Sequence, residues 1–131
     1  MRLLIDTHIW VFMADQPKRL GRKTSQLLQN PKTEVWISPL SVWEVLLLHR
    51  LGRFGKIRDP HAWVRKSLKA WPFQEAAVTH AVAIEAGDFE LGTDDPIDRL
   101  LVATARVMKM PLVTEDAAII ASGCVEVVGN D

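Results

Sequence analysis

Asp6, Glu44, Asp98 and Asp116 are the residues whose types and surroundings point to chemistry in this sequence. Each borders an apolar stretch. "RLLI" precedes Asp6, "LVT" precedes Asp116, and "RLLVATA" follows Asp98. Val42, Trp43, Val45 and Leu46 surround Glu44, where a carboxylate is expensive to bury without a partner. Carboxylates that converge within a few ångströms repel, and at least one holds a proton unless a cation neutralises them. A donor set of oxygens alone, without Cys or clustered His, selects a hard divalent ion, Mg²⁺ or Mn²⁺. Such an ion takes one or two direct carboxylates and keeps several waters, which the other acids orient. Water activated in this way attacks a phosphodiester, and the ion offsets the charge building on phosphorus. The predicted reaction is metal-assisted phosphodiester hydrolysis.

That chemistry requires four distant segments to meet, so the elements that carry them decide the matter. "RLLI" reads as a short buried strand ending at Asp6, and "THIWVFMA" as a helix after it. "GRKTSQLLQN" is a second helix, closed by Asn30-Pro31. "EVWIS" is strand two, and Pro39 opens a helix whose apolar spacing runs until Gly52. "GRFGKIRD" is a basic loop, Asp59-Pro60 starts the helix "HAWVRKSLKAW", and "FQEAAV" holds a short strand. Thr79 caps "HAVAIEAG". "DPIDRLLVATA" opens a helix running to about Lys109, followed by the strand "PLVT", the short helix "EDAAIIAS" and the strand "VEVV". Strands alternating with helices predict an α/β fold, a mainly parallel sheet covered on both faces. In such sheets functional groups gather beyond the carboxyl ends of the strands. Asp6 and Asp116 fall at strand ends, and Glu44 and Asp98 in the opening turns of helices that start on that same edge.

Each acid also has a quieter reading. With Asp95 as N-cap and Pro96 at the first helical position, Asp98 favours the helix dipole. Asp116 fits a plain cap for "AAII", and Asp6 a turn at a strand end. Only the four together single out one edge.

At 131 residues the chain is expected to form one domain, residues 1–131, with 48% hydrophobic and 24% charged residues in the ordinary globular range. Cys124 has no partner for a disulfide or a zinc site. It suits a reducing compartment and a small buried position beside "VEVV". No apolar run approaches the roughly 18–20 residues that span a bilayer, and Asp6 interrupts any leader-like start, so a cytoplasmic protein without membrane contact is expected. The zero net charge hides a division: residues 1–69 sum to +8 and residues 70–131 to −8. Such a split gives two electrostatic faces, one able to meet a polyanion; scattered solvated helix faces would give the same totals.

"LLIDTHIW", "ISPLSVWEV", "DPIDRLLVATA" and "PLVTED", in this order and spacing, resemble the PIN-domain ribonucleases, and among them the VapC group of bacterial toxin–antitoxin pairs. The likeness covers nearly the whole chain. It implies a three-layer α/β/α sandwich with a central parallel sheet and Mg²⁺- or Mn²⁺-dependent cleavage of RNA. The family's acids fall on Asp6, Glu44, Asp98 and Asp116, with Asp6 and Asp98 as the most direct metal ligands. Thr7 and His8 complete the "DTH" signature, Thr114 matches a hydroxyl residue that accompanies the acids, and Asp95 and Arg99 match "DPxDR". Glu115 stands where many relatives carry a basic or small residue. Family likeness further implies an antitoxin whose C-terminal segment covers the acidic groove, and a homodimer.

RNA must be held by cations. Two groups qualify: Lys18–Lys23, and an arc from Arg50 through Arg53, Lys56 and Arg58 to Lys69. Arg53 and Lys56 are expected to touch substrate, because the glycines of "LGRFGK" make a mobile rim. Thr7, His8 and Thr114 are candidates for substrate contact at the acids, although His8 could equally bond a nearby carbonyl. Trp36 and Trp43 sit in apolar patterns and are expected in the core, while Trp10, Trp63 and Trp71 fit either core or a partner surface. His49, His61 and His80 lack metal-ligand spacing. Two other classes compete: a non-catalytic RNA-binding or protein-interaction module on the same fold, and a phospho-receiver. The receiver normally needs a lysine after its last strands, and none follows Lys109.

Overall fold

Leu3, Leu4 and Ile5 are wholly buried in the first strand, β1 (Arg2–Ile5), because it lies at the centre of a five-stranded sheet. The computed structural model describes residues 1–131. The strands run β3-β2-β1-β4-β5, with β2 at Glu34–Ile37, β3 at Gln74–Glu75, β4 at Leu112–Val113 and β5 at Val127–Val128. Every pairing is parallel, and the register places Leu3 beside Val35 and Ile5 beside Val113. An uninterrupted apolar run suits a strand covered on both faces. Each such side chain contributes about 2 kcal/mol relative to exposure, so the strand's end, and Asp6 with it, is firmly placed.

Alternation along β1 divides the core. Leu3 and Ile5 pack with Ile9, Trp10, Phe12, Val35, Ile37 and Val45 under four helices: α1 (Thr7–Asp15), α2 (Arg22–Gln29), α3 (Pro39–Arg50) and α4 (Pro60–Lys69). Leu4 faces the other way, toward Val102, Leu112 and Ile119 beneath α6 (Pro96–Met108) and α7 (Ala117–Ser122). Helix α5 (His80–Glu85) packs on α6 through Val82 and Ala103. The result is the α/β/α sandwich expected, with a parallel sheet between helical layers. No helix is long and apolar enough to cross a membrane.

Several local expectations need correction. Strands β3, β4 and β5 are only two residues each, within the longer "FQEAAV", "PLVT" and "VEVV" segments. Trp43 is 51% exposed, not core. Helix α3 is apolar almost all round, so residue type alone does not reveal which face is inward; Val42, Val45 and Leu46 take the core and Trp43 is left outside. Trp10, by contrast, is buried, and its ring meets Trp63 edge-on at 5.0 Å. Cys124 is half-buried at the margin of the second cluster, its Sγ 2.9 Å from the Glu90 carbonyl.

Candidate active site

The sheet order reverses at the centre: the chain steps from β1 to β2 and β3 on one side, then to β4 and β5 on the other. The crevice beyond the carboxyl ends of β1 and β4 is therefore the switch point where parallel sheets of this kind bind ligands. Asp6 follows β1 there, and Thr114 to Asp116 follow β4. Helices α1, α3 and α7 begin on this edge. Their N-caps are Asp6, Ser38 and Asp116, which accept from the backbone N–H of Ile9 at 2.9 Å, Leu40 at 3.0 Å and Ile119 at 3.0 Å. Asp95 caps α6 in the same manner, accepting from Ile97 N–H at 2.9 Å.

Capping and site-building are thus not alternatives. Asp6, Asp95 and Asp116 each cap through Oδ1, which fixes the carboxylate; the second oxygen of Asp95 and of Asp116 is left free for further use, while that of Asp6 accepts from the Thr114 hydroxyl. These three acids, with Glu44 and Asp98, line one cavity of about 310 Å³. Thr7, His8 and Glu115 complete its polar wall, and Leu101 is its sole hydrophobic residue. Asp98 and Glu44 lie on α6 and α3, and neither carboxylate accepts a direct backbone bond; Asp98 points into the cavity with no protein donor.

The electrostatics follow from this crowding. Burial pushes the Asp6 carboxyl above its ordinary range, against the pull of hydrogen bonds from Thr114 and Ile9 and of the His8 ring, with Asp116 adding repulsion. Burial also raises Glu44; a hydrogen bond from Thr7 opposes it, while Asp95 and Asp6 reinforce it. The Thr7 hydroxyl also lies 3.0 Å from Ser41 Oγ, a contact that ties α1 to α3 beside Glu44. Asp98 is pushed up to about 7, first by burial and then by repulsion from Asp95, Asp116, Glu44 and Asp6. Repulsion from neighbouring acids thus adds to burial at Asp6, Glu44 and Asp98.

Hard divalent cations suit this donor set, since carboxylate oxygens are the only anionic groups in the cavity and their mutual repulsion is what a positive ion removes. No group of three or more His, Cys, Asp or Glu is arranged as a finished metal cage. Mg²⁺ and Mn²⁺ need none, because they bind through one or two carboxylates and retain water. Fit is therefore a matter of charge and oxygen donors.

Other expected residues fall elsewhere. Thr114 is wholly buried, so its hydroxyl cannot meet a substrate; it donates to Asp6 Oδ2 and accepts from the Asp116 N–H at 3.0 Å, tying the two acids together. The guanidinium of Arg99 turns from the cavity and donates to the carbonyls of Ala86 at 2.7 Å and Phe89 at 2.9 Å, fastening the end of α5 to α6. Arg53 and Lys56 are exposed and line an adjoining cavity that also contains Thr7 and His8. His8 faces both cavities, and no carbonyl takes up its ring nitrogens. Sequence reasoning overlooked Ser41 and Leu101; Ser41 lies three residues before Glu44, a spacing that shares a helix face and could have disclosed it.

Comparison with known proteins agrees with this fold. The model of one family, the PIN domain, matches residues 3–121. VapBC2 from Rickettsia felis, bound to a DNA fragment from their promoter, superposes with a TM-score of 0.73 at 15% identity, covering 100% of both chains. A toxin–antitoxin complex from Klebsiella pneumoniae gives 0.63 at 20% identity over 96% of this chain and 95% of that one. VapBC-5 of Mycobacterium tuberculosis, from the VapBC family of toxin–antitoxin systems, gives 0.60 at 17% identity over 98% and 96%. No curated protein is significantly similar in sequence.

Proposed function

The chain belongs to the PIN-domain family, and from that premise we propose that it is a Mg²⁺- or Mn²⁺-dependent endoribonuclease, the toxin of a toxin–antitoxin pair. One observation carries the reading: carboxylates from four separated segments gather in a single cavity at the switch point, where burial and neighbouring acids raise the proton affinity of Asp6, Glu44 and Asp98. Family membership displaces the phospho-receiver alternative. Residues 1–131 act as one catalytic domain.

Asp6 and Asp98 are the residues assigned to hold the ion directly. A bound ion would supply positive charge to the scissile phosphate and lower the pKa of water at neutral pH. The chain's own groups do the rest. Glu44 and Asp116 stand around the cavity to accept hydrogen bonds from water and set its approach. Thr114 holds Asp6 by donating to Oδ2, and Thr7 steadies Glu44. His8, exposed at the rim, can donate to a phosphate oxygen. Asp95 keeps α6 capped, so that Asp98 keeps its direction. Arg53, Lys56 and the neighbouring cations draw in the RNA backbone.

The similar toxin–antitoxin structures support a cognate antitoxin as partner, shielding the acidic cavity between episodes of activity. Homodimerisation and a cytoplasmic setting complete the proposal. Calorimetric titration with Mn²⁺ and cleavage of a single-stranded RNA test it together. Expected are heat on Mn²⁺ addition and cleavage that chelation stops. A protein giving neither would be a non-catalytic module that kept the fold.

A further inference from the structure

A second cavity, of about 330 Å³, opens beside the acidic one and shares Thr7 and His8 with it. Its character is opposite. Val11, Leu48, Phe54 and Ile57 give it an apolar wall, and exposed Arg53 and Lys56 complete the lining on the loop between α3 and α4. Neither cation has a carboxylate partner, since Arg106–Glu85 is the one salt bridge in the structure.

This loop is anchored, contrary to the mobile rim its glycines suggest. Phe54 is buried and meets Trp63 edge-on at 5.1 Å. The His49 ring nitrogen Nε2 lies 2.7 Å from the Ile57 carbonyl, and Arg53 N–H donates to the Leu48 carbonyl at 2.8 Å. Gly52 and Gly55 take φ of +71° and +54°, the left-handed turns that let the chain double back. The wall is therefore preformed. Asp15 also faces this cavity. Its Oδ2 accepts the Trp63 indole N–H at 2.8 Å, while Oδ1 accepts no hydrogen bond from the protein.

We propose that this cavity is a base-binding subsite, receiving the unstacked base of the nucleotide beside the phosphate in the acidic cavity and preferring guanine. The inference deepens the ribonuclease reading and rests on it for the role of the adjoining site. Single-stranded RNA is recognised by burying splayed bases against apolar or aromatic surfaces and bonding their Watson–Crick edges. The cavity lies at the small end of ligand sites, roughly 300–1,000 Å³, which suits one base. Arg53 and Lys56 offset the phosphate that a base brings with it. The Asp15 carboxylate sets the preference: guanine offers two adjacent donors, N1–H and N2–H, one for the free Oδ1 and one for the second lone pair of Oδ2 beside the Trp63 bond. Adenine and cytosine present one amino group beside a ring acceptor, and uracil one N–H between two carbonyl oxygens that repel an anion.

Binding can be read without cleavage. The metal-free protein is titrated with the four nucleoside 5′-monophosphates while the Trp63 indole N–H and the methyls of Val11, Leu48 and Ile57 are followed by NMR. Guanosine monophosphate is expected to shift these signals and to half-saturate at a concentration at least about fivefold below the others, the lower end for a two-donor contact. Asp15→Asn keeps an oxygen for Trp63 and is expected to level the four. Absence of shifts at these groups, equal half-saturation for all four, or a preference unchanged in Asp15→Asn would each overturn the proposal. RNA cleavage with Mn²⁺ is scored separately: nucleotide binding without cleavage defeats the ribonuclease reading alone, and cleavage without guanine binding defeats the subsite alone.

Discussion

The carboxylates on the carboxyl edge of the sheet and the cations that follow α3 lie side by side, yet they are held in different ways. Asp6 is 7% exposed, bonded by Ile9 and Thr114, and placed by a strand whose Leu3, Leu4 and Ile5 are wholly buried. Arg53, Lys56 and Arg58 are exposed, without an ion pair or a side-chain hydrogen bond. Burial and repulsion shift the protonation of Asp6, Glu44 and Asp98 upward, a cost the fold carries in the absence of a cation. Groups that must hold an ion at a fixed point need rigid support, and that support brings strain. Groups that attract a flexible polyanion through solvent need only their number and sign.

Neutralising Asp98 separates the two demands most strongly. Asp98→Asn is expected to reduce Mn²⁺ affinity and RNA cleavage by at least about 100-fold, while making the metal-free fold more stable at alkaline pH. The sign follows from linkage. Folding raises the Asp98 pKa from 3.8 to about 7, so across that window the native chain binds more protons than the unfolded one. Stability of the parent therefore falls as pH climbs through the window, and the full penalty is present above it. Thermal melts of metal-free protein on either side of the window should show the parent losing stability with rising pH and Asp98→Asn losing less. Added Mn²⁺ should raise the parent's midpoint more at the alkaline end, where protons no longer compete. A variant that melts like the parent at both ends would mean Asp98 is not crowded by its neighbours.

Thr114 sharpens the comparison from inside the acidic region. Its hydroxyl serves two acids at once, donating to Asp6 Oδ2 and accepting from the Asp116 N–H. Thr114→Val keeps the shape and removes both bonds, leaving buried polar groups unpartnered at about 1–3 kcal/mol. Cleavage should fall with it, since Asp6 loses its support, and Thr114→Ser should recover both stability and rate. Recovery of stability without rate would show that Thr114 does more than position Asp6.

What could be read from the amino-acid order follows the same division. The apolar run of β1, the Pro39, Pro60 and Pro96 helix starts and the Thr79 cap are local signals, and each element stands where such signals place it. The edge shared by Asp6, Glu44, Asp98 and Asp116 followed from parallel-strand topology, which brings them to one cavity. Facing was harder to read. Trp43 and Val45 are both apolar residues of α3, and only tertiary packing sends one outward and the other inward. "DPxDR" and "VTED" likewise gave no sign that Arg99 turns to the α5 carbonyls or that Thr114 lies beneath Asp6, because a hydrogen-bond partner distant in sequence leaves no local pattern.

The smallest expected effect belongs to the basic arc, and it tests whether sign alone matters there. Arg53→Ala and Lys56→Ala remove no hydrogen bond or ion pair within the protein, so melting midpoints should stay within about 0.5 kcal/mol of the parent. Each variant should bind single-stranded RNA less tightly, and the slope of log affinity against log salt should shrink by about 0.7 for each phosphate that the protein no longer neutralises. Charge-conserving Arg53→Lys should restore the slope if the arc acts only by attraction. Should Arg53→Lys restore the slope but not the affinity, the planar guanidinium makes a directed contact, and part of the basic region would share the fixed geometry of the acidic one.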